Sequence, residues 1–262
     1  MLRIWTIARI VWMELLRKKD VYVLLILLGV MLLALVSLNI FGLGGAVGYV
    51  KDAGILMAWV FSAILAVAVS SRALPHEEAR GTIYPLLAKP LTRWELVAGK
   101  WLGTWTLTSA TLILFYGLVL AVVAAKDGQF VPATFCQGVV LHIMALAVLC
   151  AVSILFSVRL NPDAAATLSY LSAVTAFLVL PRVPEFLVRE HGLTANILLA
   201  LYYMLPRAEL FDLRRRLVHG YGPISWYVFA TIVAYGLLYV GLFLLLAWFA
   251  FRNKRFSRES IE

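Results

Sequence analysis

His76, Glu77 and Glu78 open the run HEEAR at 76–80, which begins like the helix of a zinc protease. That chemistry needs a second histidine four residues after the first, so that both imidazoles meet one metal. Position 80 is arginine, and the pattern fails. No G-x-S-x-G elbow offers a serine nucleophile. GLGGAVG at 42–48 has the glycines of a phosphate loop, but neither its spacing nor a following Lys-Ser/Thr. In AGK at 98–100 the glycine required five residues before Gly99 is replaced by Trp94. The chain therefore shows no ATP site, no cofactor motif and no catalytic constellation of its own.

One more group invites chemistry. Cys136, His142, Met144 and Cys150 share one apolar run, and soft ligands of this kind suit copper. The spacings of six and eight residues do not cluster at helical i, i+4 positions, and Met and Cys are ordinary fillers of apolar packing. The two cysteines are 14 residues apart, roughly 21 Å on a helix, too far for a disulfide. Packing is the stronger reading of all four.

The elements that hold these residues belong to a membrane. Charged residues are 14% of the 262 and hydrophobic ones 63%, against about 25% charged in an ordinary soluble domain. The sequence predicts an all-α polytopic protein, one integral membrane domain over 1–262, with six transmembrane helices at about 21–41, 53–71, 104–125, 135–158, 164–181 and 226–251. Pro181 and Pro184 are expected to end the fifth. Lys and Arg divide 15 to 8 in favour of the side that carries both termini, which places the termini in the cytoplasm. The net charge of +9 is this orientation signal and does not point to nucleic acid. The middles of the spans carry no acidic or basic residue, which counts against an ion-coupled secondary transporter. The absence of acid–base or metal groups counts against a membrane-embedded enzyme.

Three further segments are legible. In 1–20, Trp5, Ala8, Trp12 and Leu15 fall on one helical face, which predicts a helix lying in the membrane interface; a plain extension of the first span is the alternative. The external segment 182–225 holds an apolar stretch too short to span, 196–206, then RAELFDLRRRLV, and predicts two short helices with one dipping into the membrane surface. Arg214, Arg215 and Arg216 fit either a partner or headgroups on one side, or an ordinary solvated face. Thr104, Thr108 and Thr111 align on the third span, and Ser169, Ser172, Thr175 and Ala176 on the fifth. Such faces favour helix packing over substrate contact.

The charges of 72–103 concentrate between the second and third spans. Ile83, Leu86 and Leu87 give 76–88 an apolar helical face, and Pro90 stops it. TRWE at 92–95 reads as a capping box, with Thr92 and Glu95 reciprocally bonded at the start of a new helix.

This segment, EEARGTIYPLLAKPLTRWELVAGKWLG, resembles the E-x-x-x-G-T … P-[IVL]-[ST]-R … G-K-x-x-G pattern of ABC-2 type transporter permeases. It is similar above all to the subgroup linked to maturation of nitrous oxide reductase, a multicopper enzyme. YYMLPRAELFDL at 202–213 resembles that subgroup's external segment. The resemblance implies a membrane subunit of an exporter in the bacterial inner membrane. Such a subunit pairs with a second copy or a paralogue and docks two ATPase subunits, which hold the ATP and magnesium. It further implies a coupling interface at Glu77, Glu78, Arg80, Gly81, Thr82, Pro90, Thr92, Arg93, Glu95, Gly99 and Lys100, whose charges meet the ATPase. A second contact falls at Arg159, Asn161, Pro162 and Asp163, where Asp163 also suits an N-cap. An external gate falls at Tyr203, Pro206, Phe211, Arg214, Arg215 and Arg216. A role in periplasmic copper-enzyme maturation, with a periplasmic protein as partner, is the other function the subgroup implies.

Overall fold

A computed structural model describes residues 2–17, 46–75, 77, 92–126, 128–187, 202–203 and 205–252, with isolated positions between 22 and 34 and at 196 and 199. Among them there is helix and no strand. The elements are α1 (Leu2–Arg17), α2 (Ala46–Ser70), α3 (Arg93–Ala124), α4 (Pro132–Ser157), α5 (Pro162–Val174), α6 (Val183–Leu187), α7 (Arg214–His219) and α8 (Trp226–Arg252). Five helices are long and apolar enough to cross a membrane: Val47–Ser70, Arg93–Ala124, Pro132–Ser157, Pro162–Phe186 and Trp226–Arg252. They correspond to the second to sixth expected spans. The first, 21–41, lies as an element outside the described residues.

Successive long helices run in opposite directions, so the molecule has two ends. The turn end carries 71–74, Glu77, Thr92, the 158–161 turn and the close of α8. The loop end carries the start of α2, residues 125–126 and 128–131, and, of the segment after the fifth span, residues 182–187, 202–203 and 205–225. Two helices form the centre. α3 packs against α1, α2, α4 and α8, while α4 packs against α2, α3, α5 and α8.

Side-chain size and indole donors explain why α3 sits there. Trp101 and Trp105 stack at 5.0 Å and donate their indole N–H groups to the carbonyls of Ala147 and Ile143 on α4, each at 3.0 Å. The hydroxyls of Thr104, Thr108 and Thr111 turn back to carbonyls of their own helix at 3.0–3.1 Å. All three are buried, so this face serves packing.

On its other side α3 presents Gly99 and Gly103, a small-xxx-small pair that lets two backbones approach. A Cβ on Gly99 would stand 2.8 Å from Ile7 Cβ, and one on Gly103 2.8 Å from Val11 Cβ and 3.0 Å from Ala8 Cα. The N-terminal helix is therefore seated on α3, with Ile7, Ala8 and Val11 buried. Of the expected face, Trp5 is 62% exposed, and Ala8 lies in this seat. Trp12 stays at its flank and donates to Thr106 Oγ1 at 2.8 Å.

The fifth span also departs from expectation. Pro181 and Pro184 do not end it. They change its pitch: a π-helical turn at Thr175–Val179, then a 3₁₀ turn at Leu180–Arg182, then α6. Each proline lacks the N–H its helix would use. The widened turn keeps the chain bonded, with Leu180 N–H reaching Thr175 O, and carries the span on to Phe186. At the start of α5 the N-cap is Asn161 and not Asp163. Asn161 Oδ1 accepts from Ala164 N at 3.1 Å, while Asp163 lies in the first turn, where its charge suits the helix dipole.

Because the α1 seat depends on two missing side chains, Gly103→Leu should dislodge α1 and destabilise the protein by about 1–3 kcal/mol. The loss is read as a lowered thermal-unfolding midpoint in detergent.

Candidate coupling face and loop-end plug

The turn end is wired together by the charged residues of 72–103. α2 stops at Ser70, and a turn carries Glu77 N–H to Leu74 O at 3.1 Å. Glu77 forms an ion pair with Lys100, with side-chain exposures of 15% and 3%. Lys100 lies about two turns into α3, and the half-buried Glu77 carboxylate is the counter-charge its own burial requires.

The capping box is present: Thr92 N–H donates to Glu95 Oε2 at 2.8 Å, and Glu95 N–H donates to Thr92 Oγ1 at 3.2 Å. Next to it, Arg93 donates to the carbonyls of Phe251 and Arg252, each at 2.6 Å, and lies 5.6 Å from the Phe251 ring centre. These are last-turn carbonyls of α8, which have no partner within their own helix. Trp94 meets Trp248 edge to face at 6.5 Å. Gly99 carries α1.

Glu77, Thr92, Arg93, Glu95, Gly99 and Lys100 thus come together, and each is engaged within the chain. They fasten α1, the end of α2, the start of α3 and the end of α8 into one unit. The expected contacts Glu78, Arg80, Gly81, Thr82 and Pro90 lie outside the described residues. Arg159, Asn161 and Asp163 are exposed in the 158–163 turn at the same end, with Pro162 half-buried between them.

At the loop end, chain without regular helix is held inside the bundle. Gln137 clamps it with both amide atoms, donating to Ile224 O at 2.9 Å and accepting from Ile224 N at 3.0 Å. Thr134 donates to Tyr221 O at 3.0 Å. Leu217 fills the place of a side chain at Gly138. Gly220, at φ 65°, closes α7 in the left-handed conformation that glycine adopts at least cost.

Ahead of α7 the chain dips. Phe211 is buried against Gly236 and Met144, and Met144 is twelve residues, roughly 18 Å, along α4. Of the expected gate residues, Pro206 and Phe211 form this plug with Leu205 and Ala208. Tyr203 lies beside it, 5.2 Å from the Arg207 guanidinium. The arginines separate from that group. Arg214 pairs with Asp52 at 3.4 Å, Arg216 donates to Gly222 O at 3.1 Å, and Arg215 is exposed.

Beneath the plug lies an apolar cavity of about 350 Å³, bounded by α4, the α5 span, α8 and residues 205–211. Sequence reasoning misses Arg207, Gln137 and the cavity. Gln137 carries a signal, as a lone amide in an apolar run.

His142 takes the packing role expected of it. It is fully buried and stacked on Trp59 at 3.7 Å. Ser62 Oγ donates to Trp59 O at 3.0 Å and lies 3.0 Å from His142 Nε2. Tyr116 OH lies 3.3 Å from Nδ1, so both ring nitrogens have a hydrogen-bond partner. Among the described residues no three His, Cys, Asp or Glu converge as metal ligands.

Among the described residues, five helices of membrane-crossing length and apolarity define a multi-pass helical membrane protein. The chain belongs to the ABC-2 family transporter proteins, whose family model matches residues 5–256. It is the membrane permease component of an ABC transporter, a family that works with ATPase partners. The match is to the family as a whole and does not reach the nitrous-oxide-reductase subgroup. No curated protein matches the chain.

Removing one member of the buried pair strands the other. Glu77→Leu or Lys100→Met alone should cost about 3–5 kcal/mol, whereas the double change Glu77→Leu/Lys100→Met should recover most of it. A double-mutant cycle on thermal midpoints measures the difference.

Proposed function

We propose that this chain is one half of a dimeric exporter in the bacterial inner membrane, with six spans, both termini in the cytoplasm and two ATPase subunits docked at the turn end. The observation that carries the reading is the wiring of that end. The 72–103 segment is bonded to three spans and to α1 at once, through Glu77–Lys100, Arg93 on the last carbonyls of α8, and the Gly99/Gly103 seat. A push on this segment therefore moves α2, α3 and α8 together. The exposed 158–163 turn gives the ATPase a second point of contact, on α4 and α5.

In this reading the residues divide their work. Glu77, Arg93, Glu95 and Lys100 transmit force, and Glu78, Arg80, Gly81 and Thr82 with Arg159 and Asp163 make the contact. The α1 helix lies in the cytoplasmic interface, its exposed Trp5 at the headgroup level. The loop-end plug is the gate, latched by Arg214 on Asp52 and by Gln137 on Ile224. ATP-driven closure biases the permease between two packings, and the plug is the element that differs between them.

The test is biochemical and does not require the cargo. The solubilised chain should co-purify with a nucleotide-hydrolysing subunit. Gly81→Pro, and the charge reversal Arg159→Glu/Asp163→Arg, should each reduce that retention at least several-fold without lowering membrane insertion. Wild-type retention in both variants overturns the docking face, and recovery of no ATPase under any condition overturns the transporter assignment. Arg93→Ala should instead keep the ATPase bound while abolishing the nucleotide-dependent change in a cysteine cross-link between positions 52 and 214.

A further inference from the structure

The cavity beneath the plug has a direction. Its floor is α4 from Ala145 to Phe156, roughly 16 Å of helix rise. Phe156 is one residue from the close of α4 at the turn end. Ala145 adjoins Met144, and Met144 and Phe211 crowd the same Gly236. The cavity thus runs from near the turn-end surface to the middle of the bundle, where it stops against Pro206, Ala208 and Phe211. That length is about half of a ~30 Å hydrocarbon core, the depth of one leaflet.

Its width decides what can enter. α5 packs on α4 and α2, and α8 packs on α4 and α3, so the α5 span and α8 leave a cleft between them. Spread over the floor, about 350 Å³ gives a section roughly 5 Å across. An α-helix with its side chains needs about 10–12 Å, so neither another span nor a helix of a second copy fits inside. A hydrocarbon chain, whose carbons meet their neighbours at about 3.5–4.0 Å, fits singly.

The lining selects the same occupant. Among the described residues no charged side chain faces the cavity, and the polar side chains are Ser172 and Thr175. The Ser172 hydroxyl is already donated to Ser169 O at 2.8 Å. A charged group would lose its water there and gain no counter-charge. Leu168 and Leu171 belong to the lining and are 39% and 59% exposed, so the cleft opens sideways. They stand six and nine residues past Pro162, roughly 9–14 Å from the turn-end start of the span. The mouth therefore faces the leaflet whose depth the cavity matches.

We propose that the cleft between the α5 span and α8 takes one acyl chain of a phospholipid from the turn-end leaflet. The chain enters past Leu168 and Leu171, and its methyl end rests against the plug. The head group stays at the interface and is not read. The inference needs only that these helices span a bilayer, and it stands whether or not the plug is a gate.

The test uses the full chain with its associated subunits in nanodiscs of phosphatidylcholine. Two phosphatidylcholine probes carry a diazirine in one chain, the first at the methyl end and the second beside the carboxyl carbon. The methyl-end probe should label the peptide 205–211, and the carboxyl-end probe should label 152–156 and Leu168 instead. Ala173 and Ala176 keep the α5 wall low. Ala173→Phe and Ala176→Phe should each cut methyl-end labelling of 205–211 roughly tenfold. The outward α8 residues Leu238 and Leu242, 65% and 44% exposed, should be labelled as before, which shows that the variants insert and fold. Phosphatidylglycerol probes should label as the phosphatidylcholine ones do. Labelling of 205–211 that is absent, that comes equally from both probe positions, or that persists in both variants overturns the proposal. A strong preference for phosphatidylglycerol overturns the indifference to head group. Stronger labelling of 205–211 by a diazirine-bearing hexadecane than by an equal amount of the methyl-end phospholipid overturns the phospholipid as occupant.

Discussion

Inside a bilayer no water is available to satisfy a backbone amide, so each N–H and C=O must find its partner within the protein. The rest of this structure depends on that constraint. It makes the long elements helical, and it makes the irregular stretch 205–213 possible only where other helices enclose it. Tyr235 accepts from the Arg207 amide, and Gln137 accepts from Ile224 and donates back to it. The same rule explains the end of α8. Its last carbonyls point beyond the final turn, and the Arg93 side chain of another helix satisfies them. Polar side chains on the spans are thus spent on backbone as much as on each other.

The two ends of the molecule solve this in different ways, and the difference bears on function. At the turn end the bonds are strong and charge-assisted and join several helices, so the segment behaves as one body. At the loop end the neutral bonds of Gln137 and Thr134 stand beside charged contacts of Arg214 with Asp52, Arg216 with Gly222 O and Lys51 with Gln129 O. A pair as open to solvent as Arg214–Asp52 breaks at small cost. His142 and Trp59, stacked in the core between the ends, belong with the stiff part, because every polar atom of that ring is already matched.

Much of this is legible in the chain itself. The capping box is readable because Thr92 and Glu95 meet at a fixed local spacing. Five of the expected spans match membrane-length helices because their apolar runs carry no competing signal. Features that rest on partners distant in sequence are not legible. Gly99 and Gly103 read as part of a family pattern, and their seat for α1 appears only when Ile7 and Val11 arrive. In the sequence Glu77 and Lys100 look like two surface charges, since nothing local shows that a turn brings one over the other. Proline rules make a stop of Pro181 and Pro184 because they describe single bonds, whereas the helix recovers by widening its pitch.

That widened pitch has a geometric consequence. A π turn holds one more residue than an α turn, so the residues beyond it are out of phase by about one position, near 100° around the axis. Ser169 and Ser172, before the turn, and Leu180, after it, therefore do not obey one helical wheel. The wall of the cleft is built across this phase slip, from Leu168 through Phe177 to Leu180. Phe177, within the slip, meets Trp59 edge to face at 4.9 Å. A side chain beyond the turn therefore faces more than a quarter-turn away from where an unbroken α-helix would put it.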